Sequence, residues 1–250
     1  METETKTVGF LLIDKPADIT SHDVIYRVRK ITSEKRVGHA GTLDPFATGL
    51  LIVGVGREAT REMSKLVGLD KTYEAEFILG GVSDTDDATG KVQITNSKLQ
   101  TISKVQIEKI LKTFLGEIEQ VPPQYAAIKI QGVKMYEAAR RGVKLEAKPR
   151  PVRVDRFELI GEPVENSDGT ISIKVIIDCG SGTYVRALAR DLGEKLGVGG
   201  FVSELRRTKI GSLPIKEAVG LDELGEDWER QIRPIDQVLA RVTAHEIEVE

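Results

Sequence analysis

The sequence predicts an α+β protein in which helices flank a mixed, largely antiparallel sheet. The 250 residues are 40% hydrophobic and 30% charged, a balance typical of an ordinary globular chain. Some segments alternate apolar and polar residues with the two-residue period of strands, whereas others repeat with the period of helices. The two kinds of segment are mixed without strict strand–helix–strand alternation, which disfavours a purely parallel sheet.

The first two elements have clear boundaries. FLLIDKP (Phe10–Pro16) predicts a strand that its proline ends. In DITSHDVIYRVRKI, Thr20 and Asp23 have the spacing of a capping box before an apolar helical stripe. Ser21, His22 and Asp23 have the composition of a catalytic triad, but adjacent helical side chains point in different directions. Helix capping is therefore the favoured interpretation.

Later segments follow the same two periods. Leu50–Val53 is typical of a buried strand, REATREMSKLV predicts a helix, and TYEAEFILG predicts a strand. PVRVDRFELI and TISIKVIID alternate like strands, TYVRALARDLGEKLG predicts a helix, and LDELGEDWERQI predicts a last short helix. SKVQIEKILKTFLG predicts an amphipathic helix from Ser103, with Gln106 completing its cap, to a stop at Gly116. Its expected core positions are Val105, Ile107, Ile110, Leu111 and Phe114.

Cysteine and histidine usage limits the possible chemistry. The single cysteine, Cys179, excludes a disulfide within the chain and a cysteine-based zinc cluster. We interpret it as a small apolar residue at a strand end. His22, His39 and His245 lie far apart in the sequence, so we expect no metal site. Carboxylates, arginines and the backbone remain as candidates for chemistry.

The N-terminus does not resemble a signal peptide. METETKTVGFLLIDK has acidic residues where a signal peptide is basic, and its apolar run is short. No apolar run approaches the ~18 residues that span a bilayer. We therefore expect a cytoplasmic protein that does not bind a membrane.

Charge is distributed unevenly along the chain. The net charge is -3, but residues 124–158 contain nine basic and four acidic side chains, and LRRTKIG adds three more bases. The segment from Leu221 onward is acidic and offsets this excess. A local basic face on an acidic protein fits a polyanionic ligand, although charge alone equally allows an ordinary solvated surface.

Two motifs suggest ligands that we disfavour. Gly54–Ala59 fits the G-x-G-x-x-A pattern of dinucleotide-binding enzymes, with Glu74 at the expected separation. However, Glu74 begins a predicted strand where the ribose-binding acid should end one. DTDDATG (Asp84–Gly90) suggests a calcium loop, but Ala88, Thr89 and Thr95 occupy positions where an EF-hand needs a ligand, a glycine and a glutamate. A polar turn is favoured there.

One carboxylate stands out within GHAGTLDPFATGLLIVGVG. Asp44 lies in a glycine-bounded loop before the apolar strand, where Pro45 favours an extended backbone and Gly41 permits close approach of a ligand. A carboxylate on a loop beside a rigid strand is well placed for nucleophilic or acid–base chemistry. The motif by itself fits a turn-forming Asp-Pro better.

The wider pattern resembles the TruB family of pseudouridine synthases. The GTLDP motif with Ala47, GLL and Gly54 is similar to the family's active-site motif, and DKPADITSHDV is similar to its N-terminal motif. KTYEAEFILG, VPPQYAAIKIQGVKMYEAARRG, GTYVRALARDLG and LRRTKIG resemble further family segments, with Ala126 where serine is usual. The related RluA and RsuA families usually lack a proline after the aspartate, so TruB fits better.

The resemblance implies a fold, a reaction and catalytic residues. It implies the pseudouridine synthase fold and isomerisation of uridine to pseudouridine at position 55 of tRNA, without metal or organic cofactor. Asp44 corresponds to the nucleophile, and attack at ribose C1′, attack at the uracil ring and proton abstraction all stay open. Arg186 corresponds to its ion-pair partner, and Tyr73 to the aromatic that stacks on the flipped base. Taken singly, Arg186 is better explained as an exposed helix arginine, and Tyr73 equally well as a half-buried strand aromatic.

The resemblance also implies substrate contacts. His39 would hold the RNA open or fill the space of the extruded base, and Leu205 would line the pocket, although a loop hydrogen bond and a core position are the alternatives. Gly41, Thr42, Lys15 and Tyr184 are further expected contacts. Residues 120–150 resemble an RNA-clamping insertion, in which Lys129 and Arg140 would contact phosphates.

These correspondences predict the organisation of the chain. We expect a catalytic domain over residues 1–220 and a short acidic extension over 221–250, which leaves too little room for a full PUA domain. Whether that domain is absent or lies beyond Glu250 stays open, and we expect weaker tRNA affinity than in a longer relative. We expect a monomer that binds the tRNA T-stem-loop without an obligate protein partner. The alternatives are a guide-dependent rRNA synthase of the dyskerin kind, a non-catalytic RNA-binding protein and, more remotely, a dinucleotide enzyme.

Overall fold

The computed structural model describes residues 7–95, 102–126, 128–130, 132–143 and 145–247. It confirms an α+β fold with mostly antiparallel strand pairing. The chain divides into two compact units: unit 1 comprises residues 1–73 and 206–250, and unit 2 comprises residues 74–205.

The elements alternate irregularly along the chain. The helices are α1 Ser21–Thr32, α2 Arg57–Arg61, α3 Met63–Val67, α4 Lys104–Leu111, α5 Met135–Arg140, α6 Val185–Leu196 and α7 Ile235–Ile247. The first strands are β1 Gly9–Lys15, β2 Val37–Ala40, β3 Thr48–Val55, β4 Lys71–Leu79, β5 Gly81–Ser83, β6 Val92–Ile94 and β7 Gly116–Gln120. The remaining strands are β8 Lys129–Ile130, β9 Val133–Lys134, β10 Arg150–Glu165, β11 Ile171–Cys179, β12 Gly200–Ile210, β13 Leu213–Pro214 and β14 Val219–Gly220.

Strand β3 is at the centre of unit 1. It pairs antiparallel with β1 and β2, and parallel with β12 through Arg206–Thr48 and Arg207–Gly49. Strand β14 adds to β1 in parallel. Because successive residues of β1 and β3 point to opposite faces, α1 packs on one face, whereas α2, α3 and α7 pack on the other.

The start of α1 confirms the capping prediction. The Thr20 hydroxyl accepts a hydrogen bond from the Asp23 backbone N–H, and the Asp23 carboxylate accepts one from the Thr20 N–H. Asp23 is therefore engaged in the cap and not in a triad with Ser21 and His22. The predicted helix over REATREMSKLV is in fact two short helices that meet at Glu62.

The C-terminal part of unit 1 differs from the sequence prediction. In LDELGEDWERQI the structure has only one short 3₁₀ helix, Trp228–Gln231. The segment before Gly225 contains a turn instead of a helix, and Leu221 and Leu224 of this segment are buried in the core. The last helix is instead α7, whose Val238 and Val242 pack into the core. This helix was not predicted from the sequence, although Pro234 precedes it as expected for a helix start.

Unit 2 is built on a long antiparallel pair, β10 and β11, with β7 on the other edge of β10. Phe157 of β10 makes edge-to-face contacts with Phe77 and Phe114. Helix α4 has the predicted capping box of Ser103 and Gln106 but ends at Leu111, before a 3₁₀ turn.

One predicted core position of α4 is wrong. Val105 is 72% exposed, whereas Ile107, Leu111 and Phe114 are buried. Val105 is two residues from Ile107 and so points to a different side of the helix.

Candidate active site

The Asp44 loop connects β2 to β3 in unit 1. Asp44 is half-buried, and the preceding Leu43 is buried. The hydroxyl of Ser21, at the first turn of α1, accepts a hydrogen bond from the Leu43 N–H at 2.9 Å. The same hydroxyl lies 3.1 Å from the Leu43 carbonyl and donates to it. Ser21 is 1% exposed, so its two bonds attach the loop to α1 immediately before the carboxylate.

Lys15 fixes the loop at Pro45, the residue that follows Asp44. Its ammonium donates to the carbonyls of Pro16 at 2.8 Å, Ile19 at 2.9 Å and Pro45 at 3.0 Å. The side chain is fully buried, and this burial lowers the pKa of Lys15 to about 8, whereas the negative charge of Asp44 acts in the opposite direction. Lys15 therefore lies within the electrostatic field of Asp44 while it fixes the next peptide of the loop.

Arg207 is a third attachment of the loop. This guanidinium is only 1% exposed and donates to the carbonyls of Leu50 at 2.8 Å and Gly41 at 3.1 Å. Gly41 has a φ of 80°, a left-handed conformation that glycine adopts readily. Three buried side chains thus fix the path of the backbone from Gly41 to Pro45.

Its neighbour Arg206 connects three strands. The guanidinium binds both carboxylate oxygens of Asp14, at 3.1 and 2.6 Å, and donates to the Thr48 hydroxyl at 3.3 Å. Asp14 is in β1, Thr48 begins β3 and Arg206 is in β12. This bidentate pair therefore joins β1 to β12 beside the start of β3, the strand that follows the Asp44 loop.

Other predicted contacts in unit 1 differ in exposure. Thr42 is exposed, and His39, in β2, is half-buried. Burial lowers the pKa of His39, and the nearby positive charges of Arg207 and His22 lower it further, which favours the neutral imidazole. Tyr73, near the start of β4, is buried.

In unit 2, Arg186 is buried and firmly held. It is in the first turn of α6 and is 3% exposed, which excludes the interpretation as an exposed helix arginine. One guanidinium nitrogen donates to the Thr85 carbonyl at 2.9 Å and lies 3.5 Å from an Asp87 carboxylate oxygen. The other terminal nitrogen donates to the Tyr125 carbonyl at 3.3 Å.

The residues that hold Arg186 belong to the segment Asp84–Gly90. The buried Asp87 carboxylate accepts hydrogen bonds from the Thr85 hydroxyl and from the Thr89 N–H and hydroxyl. This confirms a polar turn. The contact between this turn and Arg186 could not be predicted from the sequence pattern, because Thr85 and Arg186 are 101 residues apart.

A second ion pair repeats this contact one helical turn later. Arg190 lies 3.0 Å from a carboxylate oxygen of Asp86, and it also donates to the Val121 carbonyl. Burial raises the pKa of Asp86, and Arg190 opposes this increase. Because Arg186 and Arg190 are four residues apart on α6, both can face the same turn. The sequence signals for these two ion pairs were the i, i+4 spacing of Arg186 and Arg190 and the adjacent pair Asp86 and Asp87.

Tyr184 and Leu205 are also in unit 2. Tyr184 precedes α6, and its backbone N–H and carbonyl bond to the side-chain amide of the buried Gln120 at 2.9 and 3.1 Å. It lines a cavity of about 130 Å³ together with Gln120, Pro122, Arg150 and Gly182. Leu205 is buried in β12.

The predicted clamp residues are placed by their backbone. Lys129 is in β8, which forms a short hairpin with β9, and Arg140 is the last residue of α5. Backbone hydrogen bonds from Met135 to Ile128 and from Tyr136 to Ala126 connect the hairpin and α5 to the preceding segment.

Packing explains the glycines that resembled a dinucleotide motif. A Cβ on Gly54 would lie 2.6 Å from the Met63 side chain, and one on Gly56 would lie 2.5 Å from Val8. These glycines therefore permit α2, α3 and the N-terminal segment to pack against β3.

The described residues form neither a metal-ligand cluster nor a membrane-spanning helix. Within the described ranges, no group of three or more His, Cys, Asp or Glu side chains could hold a metal ion. The same ranges contain no helix that is long and apolar enough to cross a membrane. Cys179 is buried at the end of β11, as expected.

The arrangement favours acid–base or nucleophilic chemistry by a carboxylate. Asp44 is partly accessible on a loop whose backbone is fixed by three buried side chains. Such preorganisation keeps a reacting group in position without rearrangement at the moment of reaction.

Two family models and several known proteins are similar to this chain. Residues 29–185 match the family described as TruB family pseudouridylate synthase (N terminal domain), and residues 186–242 match the tRNA pseudouridylate synthase B C-terminal domain. The chain is 48% identical to tRNA pseudouridine synthase B of Mycobacterium tuberculosis H37Rv, over 87% of this chain and 72% of that protein. Identity to the protein of the same name from Mycolicibacterium paratuberculosis is 47%, over 87% of this chain and 73% of the relative.

Solved structures show the same fold. The "Crystal Structure of a Cbf5-Nop10-Gar1 Complex" matches with a TM-score of 0.71 and 26% identity over 96% of this chain. The chain spans only 62% of that protein's length. A structure of an "H/ACA RNP bound to a substrate RNA containing 2'-deoxyuridine" matches with a TM-score of 0.67 and 25% identity, again over 96% of this chain and 62% of that one. Taken with the geometry of the Asp44 loop, these similarities confirm the resemblance inferred from the motifs: the chain belongs to the TruB family of pseudouridylate synthases.

Proposed function

We propose that the chain converts the uridine at position 55, in the T-loop of tRNA, to pseudouridine with Asp44 as the nucleophile. The observation that carries this proposal is the attachment of the Asp44 loop by Ser21, Lys15 and Arg207, at the position of the family's active-site motif. Relatives named tRNA pseudouridine synthase B, which are 48% identical to this chain, support tRNA as the substrate.

The reaction requires one bond to break and another to form. The bond from ribose C1′ to uracil N1 breaks, the uracil rotates, and a new bond joins C1′ to C5. The proton on C5 is released while N1 takes up a proton, so no oxidant or reductant is consumed. A carboxylate can attack and shield C1′ as in a retaining glycosidase. Attack of Asp44 on the uracil ring and proton abstraction are the two alternative routes.

Arg186 and Tyr73 are proposed to assist Asp44. The Arg186 guanidinium would stabilise the ionised carboxylate through charge and hydrogen bonding. Its hydrogen bonds to Thr85 and Tyr125 and its ion pair with Asp87 fix its direction, as such a role requires. The Tyr73 ring would stack on the uracil after the base has left its helical stack, a step that costs a few kcal/mol.

Further residues are proposed to contact the RNA. Thr42 and Gly41 would approach the target nucleotide through the loop, His39 would occupy the space that the base leaves, and Leu205 and Tyr184 would line the pocket. We propose that Lys15 acts on substrate through the loop, because its hydrogen bonds to Pro16, Ile19 and Pro45 go to backbone carbonyls. Lys129 and Arg140 would bind phosphates of the T-stem, where contacts position the RNA without reading its sequence.

The chain is proposed to act as a monomer in the cytoplasm, without an obligate protein partner. The Cbf5 structures suggest a second candidate, a synthase that works in a complex, since one of them is a Cbf5-Nop10-Gar1 complex and another is a Nop10-Cbf5 complex. Identity favours the first candidate: it is 48% to tRNA pseudouridine synthase B and 26% to the Cbf5 chain.

The test is incubation of the purified chain alone with an unmodified tRNA transcript, without cofactor, followed by pseudouridine mapping. We expect one modified nucleotide, at position 55. A product at another position would refute the T-loop assignment, and a product only after addition of partner proteins would favour the second candidate. Binding without any product would indicate a non-catalytic RNA-binding protein.

A further inference from the structure

We propose that the exposed face of α1 and the turn after it form a second RNA-contact surface, which binds nucleotides adjacent to the target in the same RNA. This surface, called here the α1 surface, comprises Tyr26, Arg29, Lys30, Lys35 and Arg36. The inference rests on the proposed RNA substrate but uses residues outside the Asp44 loop.

The first observation is an exposed aromatic side chain. Tyr26 is 56% exposed, although burial of an aromatic ring is a major source of stability. The Lys30 ammonium lies 4.6 Å from the centre of the Tyr26 ring in a cation–π contact. An exposed ring next to a cation is suited to bind a nucleotide, because the ring can stack on an unpaired base and the cation can bind the phosphate.

The second observation is the concentration of positive charge. From Arg29 to Arg36 the sequence contains four basic side chains and one acidic one. All four basic side chains are exposed. The Arg29 guanidinium donates to the Val37 carbonyl, a contact that orients it without neutralising its charge.

Each acidic group near the α1 surface is held by a hydrogen bond or an ion pair. Asp23 caps the helix through Thr20, and the Glu34 carboxylate accepts the Arg36 backbone N–H at 2.9 Å. Asp222 pairs with Arg27, at 3.0 Å, and Arg27 is not included in the surface. The four bases of the α1 surface therefore produce a locally positive potential on a chain whose net charge is -3.

The third observation is the position of the surface relative to Asp44. Helix α1 begins at Ser21, whose hydroxyl holds Leu43 beside Asp44. At a rise of 1.5 Å per residue, Tyr26 lies about 8 Å and Lys30 about 14 Å along the helix from that point. His22, Tyr26 and Lys30 are spaced four residues apart and are all exposed, so they form one stripe that leads away from the loop. Nucleotides that flank a base placed at Asp44 can reach this stripe.

The test compares tRNA binding by two charge-matched variants of the full chain. The first is Lys30→Gln with Lys35→Gln and Arg36→Gln. The control is Arg57→Gln with Arg61→Gln and Lys65→Gln, which removes three exposed charges from α2 and α3 on the opposite face of the sheet. The dissociation constant for an unmodified tRNA transcript is measured between 50 and 300 mM salt, and thermal unfolding confirms that both variants are folded.

We expect the α1 variant to bind tRNA about tenfold more weakly and the control to change affinity less than about twofold. The slope of log affinity against log salt should decrease in magnitude by about 2–3 for the α1 variant, as expected for three lost phosphate contacts. Equal losses in both variants, or wild-type affinity and slope in the α1 variant, would overturn the proposal.

A second comparison tests stacking on Tyr26. Tyr26→Ala should weaken tRNA binding about fivefold or more, because the ring that stacks on a base is removed, whereas Tyr26→Phe should retain binding. Wild-type affinity of Tyr26→Ala would overturn the stacking role. Product formation by the wild-type protein is measured on the same transcript, so failure of the proposed reaction is distinguished from failure of the α1 surface.

Discussion

At the scale of single residues, Asp44 combines partial exposure with a rigid backbone. The carboxylate can reach a ligand, whereas Leu43 and Pro45 on either side are held by Ser21 and Lys15. A turn-forming Asp-Pro would not need these buried attachments. Their presence favours a role in which the carboxylate must keep its position.

Asp44→Asn should abolish pseudouridine formation while tRNA binding is largely retained. The amide has nearly the same shape but cannot act as a nucleophile, so we expect the single-turnover rate on a T-stem-loop to fall by at least about a thousandfold. Measurable turnover by this variant, in a preparation free of wild-type enzyme, would refute the nucleophile assignment. Loss of RNA binding in parallel would instead indicate a contact residue.

Lys15 predicts a pH dependence of stability. The pKa of Lys15 is about 8 in the folded protein against an ordinary value of 10.5, so the unfolded chain binds more protons between these values. The contribution of Lys15 to the free energy of unfolding therefore rises with pH between these two values, by up to about 1.4 kcal/mol per pH unit. Urea unfolding of the wild type and of Lys15→Met between pH 7.5 and 10 should show a difference that grows with pH. A difference that is constant across this range would contradict the assignment.

At the scale of secondary-structure elements, the parallel contact of β3 with β12 depends on Gly49. A Cβ at this position would lie 2.3 Å from the Arg207 carbonyl oxygen, and Gly49 has a φ of 107°. Any side chain would therefore separate the two strands and displace Arg207 from Gly41 and Leu50. The packing of one residue thus controls both the sheet and the Asp44 loop.

Gly49→Ala should destabilise the protein by on the order of 3 kcal/mol, through steric overlap and backbone strain. Gly68→Ala is the matched control, because Gly68 has a φ of -73° and open space around its Cβ position. Thermal unfolding should show a clear decrease for the first variant and little change for the second. Similar melting temperatures for Gly49→Ala and wild type would show that the strands adjust.

The turn Asp84–Gly90 and helix α6 form a second element that holds a candidate catalytic residue. Asp87 and Asp86 bind Arg186 and Arg190, which lie on the same side of α6. The motif resemblance identified Arg186 by its position in GTYVRALARDLG, but it did not identify the turn as its support. The sequence interpretation described Asp84–Gly90 only as a polar turn and did not include its contacts with Arg186.

At the scale of the whole molecule, positive charge is local on a chain with a net charge of -3. The proposed clamp in residues 120–150 supplies part of this charge through Lys129 and Arg140. We expect Lys129→Ala with Arg140→Ala to raise the dissociation constant for tRNA and to reduce the salt slope by about 1–2, because each side chain would contact one phosphate. An unchanged slope, measured from 50 to 300 mM salt, would remove the clamp from the proposal.

The sequence by itself determined what depends on neighbouring residues. The capping boxes at Thr20 and Ser103, the alternating strands β10 and β11, and the apolar run of β3 were predicted correctly, because their signals lie within a few residues. The family motifs also singled out Asp44 and Arg186 as candidate catalytic residues. The motifs are short and ordered, so they needed no three-dimensional information.

Only the tertiary structure decided which side chains hold these residues in place. Ser21 contacts Leu43 across 22 residues, Arg207 contacts Gly41 across 166, and Arg186 contacts the carbonyl of Thr85 across 101. The structure also has a short 3₁₀ helix, Trp228–Gln231, where a longer helix was predicted, and it has the helix α7, which was not predicted. Such contacts form because distant segments bury apolar surface together and then satisfy one another's polar groups. Local sequence patterns do not indicate which distant segments will come into contact.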